Sequence, residues 1–91
     1  MTFIWDSNKN DINFKIHKIR FETAVVFFMS DDNPDVEYDT EHSDDEERFR
    51  GTFRRNDSYL FISYTVSDDT VRIISVRLAT RGEVDNYYKR N

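Results

Sequence analysis

From Glu46 the chain takes up a period of two, followed by an aromatic and β-branched run from Tyr59 to Val66 and an apolar–cationic stretch from Thr70 to Leu78, with only Arg55-Asn56-Asp57-Ser58 and Ser67-Asp68-Asp69 between them. Side chains on a strand point alternately to its two faces, so this pattern specifies extended structure with one buried face. Interruptions this short leave room only for tight turns, and strands joined by tight turns pair antiparallel. The pattern therefore predicts a three-stranded meander over 46–54, 59–66 and 70–78. In the first strand Glu47, Phe49, Gly51 and Phe53 alternate with Arg48, Arg50, Thr52 and Arg54, which gives one partly apolar and one cationic face. In the third, Val71-Arg72-Ile73-Ile74-Ser75-Val76-Arg77 carries arginines inside a strand. Simple alternation puts Ile74, Val76 and Leu78 toward the core and Ile73, Ser75 and Arg77 on the opposite face.

Helices are predicted on both sides of the meander. Phe3-Ile4-Trp5 reads as a short strand or extended anchor, with Trp5 in the core. Asp6-Ser7-Asn8 supplies N-caps for a helix running from Lys9 to His17. Phe21, Ala24, Val25 and Phe28 form an apolar stripe at i, i+3, i+4 and i+7, the mark of a second helix. Asp31-Asp32-Asn33-Pro34-Asp35 ends it, a short edge strand follows over 36–40, and a loop over 41–45. Thr80 followed by Glu83 is a capping box opening a last helix over 81–89. The expected fold class is α+β: two N-terminal helices packed on an antiparallel meander sheet, with a short C-terminal helix, in one domain over residues 1–91.

Composition narrows the chemistry. There is no cysteine, so no disulfide, thiolate metal site or cysteine nucleophile, and the two histidines lack the spacing of zinc ligands. No signal-peptide pattern or membrane-length apolar run is present, which leads us to expect a cytoplasmic protein with no membrane partner and no cofactor. The net charge is −5, yet it is unevenly placed: ten carboxylates and no lysine or arginine lie between Asp31 and Glu47, and the remainder has a balance of +5. The acidic run reads as a solvated loop, as a dock for a basic partner, or as a phosphate mimic for the protein's own cationic face.

An ordered set of blocks carries a resemblance: Phe3-x-Trp5-Asp6, Lys9, Asn13, His17, Phe21-Glu22-x-Ala24, His42-Ser43-x-x-Glu46-Glu47-Arg48-Phe49, Gly51, Tyr64-Thr65, Arg72-Ile73-Ile74-Ser75-x-Arg77-x-Ala79-Thr80, Glu83 and Tyr87. Together they resemble the BrnT toxins of bacterial type II toxin–antitoxin systems. The resemblance implies a RelE-like fold and a ribonuclease that halts translation. It also implies neutralisation by a BrnA-like antitoxin with a ribbon-helix-helix DNA-binding domain, in a heterotetramer that reaches operator DNA only through the antitoxin. Two departures stand out: Ile16-His17-Lys18 where the family commonly has Lys-His-Gly, and Arg77-Leu78-Ala79 where it commonly has Arg-Lys-Ala.

Metal-independent RNA cleavage needs a base for the 2′-hydroxyl, a cation for the charge that builds on phosphate, and an acid for the departing 5′-oxygen. An imidazole ordinarily changes charge near neutral pH, which makes His17 and His42 candidates for base or acid, and Glu47 is a further candidate base. Arg48, Arg72 and Arg77 are permanent cations suited to bidentate phosphate contacts. Tyr64 is a candidate base-stacking residue and Lys15 a candidate RNA contact. The alternative function is a catalytically weakened binding module that grips the antitoxin and co-represses the operon. A nucleic-acid-binding regulator acting alone fits the acidic balance least.

Overall fold

The computed structural model describes residues 1–43 and 46–90, so the expected loop over 41–45 and the last residue of the expected domain lie partly outside the described residues. The elements are β1 (Thr2–Ile4), α1 (Ser7–His17), α2 (Phe21–Ser30), β2 (Asp35–Tyr38), a 3₁₀ turn (Thr40–His42), β3 (Arg48–Arg55), β4 (Ser58–Ser67), β5 (Thr70–Leu78) and α3 (Arg81–Lys89). The sheet order is β1-β5-β4-β3-β2. Strands β2 to β5 form the antiparallel meander, extended by one strand at the β2 edge. The sheet as a whole is mixed rather than antiparallel, because Phe3 and its neighbours pair parallel to β5, Thr2 opposite Thr70 and Ile4 opposite Arg72. Both hairpin turns use a polar residue in the left-handed region, Asn56 at φ 55° and Asp68 at φ 52°, which Asn and Asp tolerate better than other side chains. Gly51 is required at its place: a Cβ there would lie 2.7 Å from the Asp35 carbonyl oxygen on β2.

Helix α2 covers one face of the sheet. Phe21, Ala24 and Phe27 pack on Phe53, Leu60, Ile62, Tyr64, Val71, Ile73 and Val76. Trp5 meets Phe21 edge-on at 6.2 Å, the core-anchor role expected of it. The face expected for β5 is corrected here. A bulge interrupts the β4–β5 ladder, with Ser63 opposite Ser75 but Tyr64 opposite Ile73, so Ile74 is the unpaired residue. The bulge shifts the alternation by one. Val71, Ile73 and Val76 are buried, so Ile73 rather than Ile74 enters the core while Val76 is inward as expected; Leu78 shares the parity of Val76, opposite buried Leu60, but stands at the strand end and is 67% exposed. Arg72 and Arg77, five residues apart, consequently share the face opposite α2.

Helix α1 attaches by a different logic. It buries no apolar residue, only Asn10 and Asn13. The Asn13 amide donates to the carbonyls of Ile19 (2.9 Å) and Val76 (2.8 Å), and its oxygen accepts the Val76 N–H (3.1 Å). Strand β1 ends opposite Arg72, and Asn13 stands in for the missing strand further along the same edge of β5. Asn10 accepts the N–H of Phe21 and donates to Glu22, capping α2 where Arg20 provides no side-chain cap.

The α1 C-cap, Lys18, has φ 63° in the left-handed region, the place where glycine carries no Cβ penalty. This gives a physical reason for the glycine customary in the resembled family. Lys18→Gly is expected to stabilise the fold by about 1 kcal/mol, read as a higher urea midpoint at unchanged slope. Asn13→Ala leaves buried polar groups of Val76 without partners and is expected to cost roughly 3 kcal/mol, lowering the thermal midpoint by more than about 10 °C.

Candidate functional site

On the open face of the sheet Arg48, Thr65 and Arg72 lie side by side on β3, β4 and β5. Two strand spacings put the backbones of the two arginines roughly 10 Å apart, with buried Thr65 between them. These three residues floor a groove of about 380 Å³ whose walls are Lys9 from α1, Ile74 at the bulge, and Glu41, His42 and Glu46 from the segment between β2 and β3. Arg72 is ion-paired with Glu46.

His42 is fixed by its own turn. Its Nδ1 lies 3.1 and 3.0 Å from the two carboxylate oxygens of Asp39. Burial works against the charge on Asp39, but the hydrogen bond from His42 and the nearby positive groups, including Arg50, outweigh it and hold the carboxyl below its ordinary range. An ionised carboxylate only accepts, so Nδ1 carries the proton, and Nε2 of neutral His42 is left as an acceptor. Ser43 locks the turn to β3: its hydroxyl donates to the Asp39 carbonyl (2.6 Å) and accepts the Arg48 N–H (3.0 Å).

The structure thus brings together His42, Arg48 and Arg72 of the residues singled out in the sequence. His17 ends α1 and lines an adjoining apolar groove with Ile12 and Ile16, which shares Lys9 and Ile74 with the first. Lys15 is exposed and lines neither groove. Glu47 is also exposed and outside the groove lining; its neighbour Glu46 occupies that place. Tyr64 lies on the opposite face, 6% exposed and stacked on Phe49, with burial pushing its hydroxyl up to about 12. It packs the core and offers no open ring face to a base. Sequence reasoning did not single out Asp39 or Glu46 as groove residues; the Asp-x-x-His spacing from Asp39 to His42 was the available signal for the first.

Arg77 stands apart. Its two terminal nitrogens donate to the two Glu83 oxygens at 2.8 Å each, and its guanidinium lies 4.3 Å over Phe61. The groove it lines also holds the Arg50–Glu37 pair, so both arginines there face carboxylates. Arg77 ties β5 to α3, whose capping box again uses Glu83, accepting the Thr80 N–H. Burial opposes the charge on Glu83, but the bonds from Arg77 and Thr80 hold its carboxyl below the ordinary 4.5. A depressed carboxylate stabilises the fold above the unfolded-state value, and that contribution is lost as pH falls through the folded one. Glu83→Gln is therefore expected to be less stable than the parent at pH 7, by about 1 kcal/mol after allowance for solvent exposure. The two denaturation midpoints should converge as pH falls below about 4.

Among the described residues no group of three or more His, Asp or Glu is placed to hold a metal ion, and no helix is long and apolar enough to cross a membrane. No curated protein matches the chain at a significant level. Residues 5–83 match a family described as the ribonuclease toxin, BrnT, of a type II toxin-antitoxin system. That match spans most of the chain, from Trp5 to the Glu83 that holds Arg77, and the protein belongs to the BrnT toxin family.

Proposed function

We propose that this chain is a metal-independent endoribonuclease that cuts RNA in the cytoplasm and is restrained by a BrnA-like antitoxin in a heterotetramer. The observation that carries this reading is the convergence of His42 with Arg48 and Arg72 on one open groove. In that groove His42 Nε2 takes the proton of the 2′-hydroxyl, and the 2′-oxygen attacks phosphorus. The bond from phosphorus to the 5′-oxygen breaks, leaving a 2′,3′-cyclic phosphate. Arg48 and Arg72 hold the non-bridging oxygens as negative charge builds, and a phosphate entering the groove displaces Glu46 from Arg72. Lys9, in the groove wall, protonates the departing 5′-oxygen, with His17 in the adjoining groove as a second donor. The succession of two helices, a meander and a last helix supports a RelE-like fold in a single domain, to which the parallel β1 is an addition.

The first test is induced expression in a bacterial host with and without the adjacent open reading frame, following growth and total RNA. Growth arrest with loss of RNA, relieved by the neighbour, is the expected result; intact RNA in arrested or growing cells would overturn the nuclease reading. His42→Ala is expected to lower cleavage at least about 100-fold and also to lower the urea midpoint, since it strips the buried Asp39 carboxylate of its imidazole partner; Arg48→Ala or Arg72→Ala is expected to lower cleavage about 100-fold with little change in midpoint. Arg77→Ala is expected to lose stability and activity together, and His17→Ala to lose less than about tenfold.

A further inference from the structure

We infer that Asp39 is a positioning residue for the reaction: it keeps the proton on His42 Nδ1 and thereby aims an unprotonated Nε2 at the groove floored by Arg48 and Arg72. The inference rests on the reading of His42 as the base and goes beyond it by naming what sets the ring's tautomer and direction.

The geometry is specific. Asp39 is 5% exposed, yet the histidine it holds is more than half exposed. An exposed imidazole would ordinarily sample many rotamers and both tautomers; one buried carboxylate with both oxygens against a single ring nitrogen removes that freedom. The carboxylate is itself anchored through its backbone. The Asp39 N–H donates to the Arg48 carbonyl (2.8 Å), and its own carbonyl accepts from the Ser43 hydroxyl and from the His42 N–H (3.3 Å). The 3₁₀ turn that separates the two residues places i and i+3 side chains on one side. Asp39, His42 and Arg48 therefore move as one unit, and base and phosphate-binding cation keep a fixed relation. Among the described residues, the charged groups facing this unit are Lys9 from α1, Glu41 and Glu46 from the turn segment, Arg48 and Arg50 from β3, and Arg72 from β5.

The test is the tautomer of His42 in the whole chain, read by nitrogen–proton NMR of the imidazole at about pH 8, where an ordinary histidine is neutral. The parent is expected to carry the proton on Nδ1; a proton on Nε2 would overturn the inference with no variant needed. Asp39→Asn presents an amide that can donate to Nδ1. It is expected to move the ring proton to Nε2 and to lower cleavage of bulk bacterial RNA by about 100-fold or more. The double variant Asp39→Asn/His42→Ala should be no slower than His42→Ala alone, because the two residues act as a unit. Parent-like tautomer and cleavage rate in Asp39→Asn, beside an inactive His42→Ala, would sink the positioning role while leaving the base assignment intact. Parent-like cleavage by His42→Ala would instead remove the base assignment, and with it a role for Asp39 in the reaction.

Discussion

The side chain of Asn13 ties α1, a helix that buries no apolar residue, to the rest of the molecule. Its amide and carbonyl satisfy both backbone groups of Val76 at the edge of β5 and the carbonyl of Ile19 in the link to α2. A buried backbone N–H or C=O without a partner costs about 1–3 kcal/mol, so the β5 edge needs either another strand or a surrogate. β1 is too short to serve along the whole edge, and Asn13 completes it. With Asn10 capping α2 from the same helix, α1 is held by directional bonds rather than by an apolar stripe. Directional bonds fix rotation about the helix axis, which is why Lys9 and His17 stand at the margin of the sheet's open face.

The bulge at Ile74 is the second constraint. Without it, Arg72 and Arg77 would lie on opposite faces, and one would enter the apolar core beneath α2. The extra residue lets β5 put Val71, Ile73 and Val76 inward and both arginines outward. It also leaves Ile74 in the wall shared by the two adjoining grooves. One irregularity in the ladder thus serves the core and the open face at once, in keeping with the re-aiming of side chains that bulges provide.

What could be read in the sequence follows from these features. The first meander strand and α3 are legible because regular alternation and the Thr80–Glu83 capping box are local signals. The bulge leaves one mark, the adjacent Ile73 and Ile74 that break the alternation, but the doublet alone does not say which of the two parities faces the core. The α1 attachment is invisible to any reading that looks for apolar stripes; β1 is legible as a short extended anchor, but its parallel pairing with β5 is not. Tyr64, by contrast, lay in plain view: it shares the parity of Leu60 and Ile62 on β4, and the core is where that parity leads. In the site, the arginines and His42 were legible as residue types. Their sorting was not, because it depends on which carboxylate reaches which cation across the fold.

That sorting is shared between Glu83 on α3 and the acidic segment, which is not simply a solvated loop. Asp31 accepts the Arg54 N–H and the Tyr87 hydroxyl, Glu37 takes Arg50, Asp39 takes His42 and Glu46 takes Arg72. The partners differ in how firmly they hold. Arg72 and Glu46 are one-third and nearly one-half exposed, a setting in which an ion pair is worth no more than about 1 kcal/mol and is weakened by salt. A phosphodiester that brings two oxygens to the same guanidinium, with Arg48 alongside, offers more than the single carboxylate it replaces. Arg77 faces the opposite balance. Its pair with Glu83 is already bidentate, lies over Phe61, and shares its carboxylate with the cap of α3, so releasing it would also loosen a helix. The same residue type on the same strand face is therefore available to an anion at position 72 and committed to the fold at position 77.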